Sequence, residues 1–115
     1  MKPGNHLPKS LLDLIIKTTE GLGEASELIE RQARAARVVR FSPTNIDVVV
    51  PKESAPIPLA NGPITSYGII GEEGDTVGQV LVWMSKGMFI GMEQDWYTDR
   101  VPTRWPRVEQ IRWGT

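Results

Sequence analysis

Glu93 and Asp95 stand two residues apart, Tyr97 follows at the same interval, and Asp99 closes the run. Side chains alternate along an extended strand, so Glu93, Asp95 and Tyr97 would project from one face of a sheet. Such a row could do acid–base work or help to hold a hard cation if another carboxylate met it from a neighbouring strand, and Asp47 is the candidate for that part. An acidic row is also the ordinary make-up of a solvated sheet face, and catalysis needs groups converging from several elements. His6, the sole histidine, lies in an N-terminal stretch without periodicity, a poor place for a general base. There is no G-x-S-x-G, and Gly71-Glu72-Glu73-Gly74 carries two acids where a phosphate loop needs its Lys-Ser/Thr, so it reads as a turn. Cysteine is absent, which excludes thiol catalysis, disulfides and cysteine-ligated zinc. No cofactor and no metal are expected.

The element that must position the row is a β-hairpin over Val77–Tyr97, where apolar runs flank a short polar break. Lys suits poorly the positive φ that a two-residue type I′ turn demands of both central residues. The expected turn is therefore three residues, Ser85-Lys86-Gly87, with Gly in the left-handed position. On that register Val80, Val82 and Met84 share the core face with Met88, Ile90, Met92 and Trp96. Trp83 and Phe89 then stand on the outer face with Leu81, Gly91 and the acidic row. Large aromatics beside a polar rim are the make-up of a protein interface, so Trp83, Phe89, Glu93, Asp95 and Tyr97 are the candidate partner-binding residues. Gly91 would let a ligand approach the backbone or would mark a bulge.

The chain of 115 residues reads as one domain, with 40% hydrophobic and 23% charged residues. Residues 1–7 are expected to form a loose arm. A helix starts after Pro8 with Leu11, Leu12, Ile15 and Ile16 as its inner stripe and ends at Gly21 and Gly23. A second runs from Glu24 to Ala36, supported outside by Glu27–Arg31 and Glu30–Arg34 pairs. Strands follow at Arg37–Phe41, Ile46–Val50 and Ile64–Ile70, with a Pro-rich connection over 51–63 and a short strand or turn near Val108–Trp113. Helices first and strands after predict a two-layer α+β domain, one or two N-terminal helices on a four- or five-stranded antiparallel meander.

A net charge of −1 gives no general attraction to nucleic acid, and no apolar run approaches the roughly 20 residues that span a bilayer, so neither partner is expected. In the tail over 98–115, Arg100, Arg104, Arg107 and Arg112 interleave with Trp105 and Trp113. The expected arrangement is structural: the tail folds back, an arginine neutralises Glu93 or Asp95, and Trp105 covers apolar surface beside Trp83.

Gly87-Met88-Phe89-Ile90-Gly91-Met92-Glu93, then Tyr97, Thr98, Asp99 and Pro102, resembles the C-terminal signature D-G-x-L-x-x-L-E-x-x-x-Y-x-D-x-P-P of a family of small uncharacterised bacterial proteins, common in actinobacteria. Lys86 stands where the family has an acid, and the cysteines of many relatives are missing. The resemblance implies the fold class and a cytoplasmic setting and brings no activity with it. The expected function is that of a small intracellular protein-binding or regulatory protein, immunity-type or self-associating, working through the outer sheet face. The alternative is a small carboxylate-based hydrolase or ligand-binding domain built on Glu93, Asp95 and Asp99 with Asp47.

Overall fold

Leu11, Leu14, Ile15 and Thr18 recur at the spacing of one helix face, and all four are buried in α1 (Lys9–Thr19). The buried stripe is thus turned from the expected one, with Leu14 and Thr18 inside and Leu12 and Ile16 at its margin. The hydroxyls of Thr18 and Thr19 donate to the Ile15 carbonyl at 3.1 and 2.8 Å, which is how two polar side chains tolerate burial there. After a 3₁₀ turn, α2 (Glu24–Ala35) buries Ala25, Ile29, Gln32 and Ala33. Of the two expected ion pairs on its outer side, Glu30–Arg34 closes at 3.0 Å.

The computed structural model describes residues 2–113. Six strands follow the helices: β1 (Arg37–Phe41), β2 (Asn45–Val49), β3 (Gly62–Ile70), β4 (Thr76–Ser85), β5 (Met88–Trp96) and β6 (Ile111–Arg112). They form one antiparallel sheet in the order β1-β2-β5-β4-β3-β6. This is the expected α+β class with one strand more than the upper count. The connection after β2 runs past the tip of the β4–β5 hairpin, pinned by buried Ile57, whose N–H donates to the Gly87 carbonyl at 2.9 Å. That path carries β3 to the far side of β4 and leaves β5 to pair with β2. Both helices lie on one face, α1 against β3 and β4 and α2 against β5.

The hairpin turn differs from the expected one. Lys86 and Gly87 have φ of 53° and 77°, a two-residue turn that pairs Ser85 with Met88 and Met84 with Phe89. Phe89 therefore points into the core, fully buried, and Ile90 is left 39% exposed. Ile90 is the extra residue of a β-bulge, beyond which Trp83 pairs with Gly91 and Val82 with Met92, so the rest of β5 keeps the expected faces. Placing Lys in the left-handed region costs ~1–2 kcal/mol, whereas burying a phenylalanine contributes ~1.5–3 kcal/mol. Burial wins, helped by the Asn61 carboxamide oxygen, which accepts the Lys86 N–H at 2.7 Å. Lys86→Asn, which suits this turn, is expected to stabilise the protein by about 0.5–1 kcal/mol and to raise its melting temperature by a few degrees. A thermal melt checks it, and a lower temperature would refute the turn.

Two buried glutamines fasten the layers. Gln32 donates to the carbonyls of Ala55 (2.9 Å) and Gly87 (3.1 Å) and accepts the Phe89 N–H at 2.8 Å, so α2 holds the hairpin and the connection together. Gln94 donates to the carbonyls of Pro43 (2.6 Å) and Arg104 (2.8 Å) and accepts from the Trp96 indole at 3.0 Å. The tail is thereby anchored beside the β1–β2 turn, where Trp105 donates to the Ser42 carbonyl at 3.0 Å. Trp105 does not lie over Trp83. The N-terminal arm is also fastened rather than loose: Gly4 donates to Val38 and Val38 to Asn5, His6 bridges to Arg37, and Leu7 is buried.

Candidate functional site on the open sheet face

With both helices, the connection and the tail committed to one side or to the ends, no helix among the described residues lies over the other face of β2, β5 and β4. Strand alternation brings Trp83, Leu81 and Gln79 of β4 to that face, and the pairs Trp83–Gly91, Leu81–Glu93 and Gln79–Asp95 set the facing residues of β5. On the other side of β5, Asn45 faces Glu93 and Asp47 faces Gly91. Gly91 has no alternative residue here, because a Cβ would collide with the carbonyl oxygen of Ile46 on β2. Beside it lies a depression of about 220 Å³ lined by Asn45, Asp47, Trp83, Ile90, Gly91 and Glu93.

Cross-strand contacts fix the side chains around it. The indole N–H of half-buried Trp83 donates to Glu93 Oε1 at 3.2 Å, which orients both across the hairpin. Asp47 Oδ2 accepts from Arg40 Nε and Nη2 at 2.9 and 2.7 Å. Ser66 donates to Gln79 Oε1 at 2.6 Å. Asp95 and Tyr97 are exposed, Tyr97 by 61%.

Four of the five expected partner-binding residues, Trp83, Glu93, Asp95 and Tyr97, thus share the open face. Phe89 does not. It is a core residue, moved inward by the two-residue turn, and Ile90 takes the outward place instead. Asp47 and Glu93 do line one depression, but the Asp47 carboxylate is held by Arg40 and the Glu93 carboxylate by Trp83. Asp99 lies beyond the end of β5. Among the described residues no three His, Asp or Glu side chains come together in a way that could hold a metal ion. Among the described residues no arginine pairs with Glu93 or Asp95, and Arg107 of the tail faces Glu109 at 3.9 Å. Arg40, Asn45 and Ile90 escaped the sequence reading. The signal for Arg40 was present, since Arg40 and Asp47 flank the Ser42-Pro43-Thr44 turn at positions that a hairpin brings face to face.

The arrangement offers an aromatic and acidic surface with a notch of about 220 Å³. Comparison with family models, with curated proteins and with solved structures finds no match for this chain.

Proposed function

We propose that this chain is a small intracellular protein-binding or regulatory module, and that the open face of β2, β5 and β4 is its docking surface for a protein partner. The observation that carries this reading is the one-sided packing of both helices, which leaves Trp83, tied to Glu93 over the notch at Gly91, beside exposed Ile90 and Val49, with exposed Asp95 and Tyr97 further along the same direction of the chain. An oriented, half-buried tryptophan among near-neutral neighbours is the usual centre of a protein interface, and the carboxylates of Glu93 and Asp95 supply its polar rim. A second copy of the chain is the simpler alternative occupant, but the charged side chains that β5 adds to this face, Glu93 and Asp95, are both acidic, and a like surface laid upon them would oppose like charges.

The test is a photo-crosslinking residue in place of Asp95, an exposed position that leaves the fold undisturbed, irradiated in the host cell. A discrete adduct with another protein, weakened about tenfold by Tyr97→Ala or Glu93→Lys, is the expected result. An adduct of twice the chain mass would assign the face to self-association. Absence of any adduct, with the protein folded and abundant, would remove the reading.

A further inference from the structure

We infer that the protein has a second binding site, a cleft at one end of the sheet that takes a zwitterionic molecule of dipeptide size, its ammonium toward the β3–β4 turn and its carboxylate toward the segment that leaves β5. The cleft has a volume of about 850 Å³, within the range of sites that take small ligands. It lies where the ends of β3 and β5 meet the start of β4, and it shares no lining residue with the notch at Gly91.

Two segments of opposite charge form it. Glu72, Glu73 and Asp75 line it from the β3–β4 turn, Arg100 and Arg104 from the segment after β5, and all five are exposed. Among the described residues none of the five enters an ion pair, so the two segments do not neutralise each other across the cleft. Glu109, the remaining charged residue of the lining, faces Arg107 at 3.9 Å. The rest of the lining is mainly apolar, with Ile69, Val77 and the half-buried rings of Trp96 and Trp105. Each indole N–H is already engaged, Trp96 with Gln94 Oε1 at 3.0 Å and Trp105 with the Ser42 carbonyl at 3.0 Å, so the rings offer apolar surface and no donor. Both charged segments are held in place. The Gly71 N–H donates to the Asp75 carbonyl at 2.8 Å and the Gly74 N–H to the Gly71 carbonyl at 3.0 Å, which closes the turn. On the other side Gln94 donates to the Arg104 carbonyl at 2.8 Å, and the Arg100 N–H donates to the Thr98 hydroxyl at 3.3 Å. A site fixed before binding loses less conformational freedom when a ligand enters. A simple anion or cation would answer one segment and be repelled by the other. A molecule with one charge of each sign and an apolar body answers both, because an arginine fork takes a carboxylate and carboxylates take an ammonium.

The probe is leucylleucine at neutral pH, followed by amide and indole chemical-shift titration of the full chain. N-acetyl-leucylleucine lacks the cation, and leucylleucinamide lacks the anion. Saturable shifts at Gly71, Val77, Arg100 and the Trp105 indole are expected with leucylleucine, and each capped form should bind at least tenfold more weakly. Arg100→Gln combined with Arg104→Gln should weaken leucylleucine at least fivefold and leave the residual binding of leucylleucinamide unchanged. Glu73→Gln combined with Asp75→Asn should do the same, with N-acetyl-leucylleucine as the ligand left unchanged. All four positions are exposed, so both variants should keep the parental melting temperature. Four results would overturn the inference: no saturation up to the solubility limit of the probe, capped forms that bind as well as leucylleucine, charge variants without effect, or shifts centred on the notch at Gly91 instead of this cleft.

Discussion

Phe89→Asp is expected to unfold the protein, whereas Ile90→Asp, one residue further on, should melt within about 1 kcal/mol of the parent. Phe89 is fully buried in the cluster that holds Val80, Val82, Met84, Met92 and Ile29, and a carboxylate there would have no partner. Burying such a group costs several kcal/mol, on the scale of the roughly 5–15 kcal/mol that holds a domain together. Ile90 is the outward residue of the bulge and already meets solvent. The pair of variants decides the hairpin register, because a three-residue turn would reverse the order, with Phe89 outside and Ile90 in the core. Met92 is inward on either register, so Met92→Asp should unfold in both cases and serves as the control. Far-UV circular dichroism melts of the three variants make the measurement. A folded Phe89→Asp protein beside an unfolded Ile90→Asp protein would refute the two-residue turn.

The same residues show what the sequence could and could not tell. Element boundaries were legible because their signals are local: apolar spacing along α1 and α2, Gly21 and Gly23 between them, β-branched runs for the strands, and prolines for the connection. The turn was not, because local preference argued against Lys86 at positive φ, and the opposing effect was the burial of Phe89 under Gln32 and Ile57, residues distant in sequence. Periodicity could not arbitrate. Met88 and Ile90 fit one face as well as Phe89 fits the other, and a single bulge lets β5 use both patterns in turn. The order of strands was equally hidden, since pairing β2 with β5 depends on where the connection crosses. The site was half legible. Alternation placed Trp83, Glu93, Asp95 and Tyr97 correctly, but whether the tail would cover them depended on Gln94 and Trp105, whose hydrogen bonds draw it toward Ser42 instead.

Gly91→Val should cost about 3 kcal/mol or more, and even Gly91→Ala should exceed the ordinary ~1 kcal/mol of a glycine substitution at an open turn. Any side chain at this position is built into the carbonyl oxygen of Ile46, so β2 and β5 must move apart to admit it. Their ladder is short, running only from Asn45–Glu93 through Ile46–Met92 to Asp47–Gly91, and the obstruction falls at its end beside the bulge. Loss there should release β2 together with its partner β1, while β3, β4 and the remainder of β5 keep their longer ladders. Gly74→Ala is the comparison: its φ of 85° strains an alanine, but nothing lies within 4 Å of the added carbon. Urea unfolding gives the ranking, and amide hydrogen exchange gives the location, with protection falling first at Val38, Ile46 and Val48 in the Gly91 variants. A Gly91→Val protein with the parental urea midpoint and undisturbed exchange in β2 would show that the two backbones do not approach as closely as the register requires.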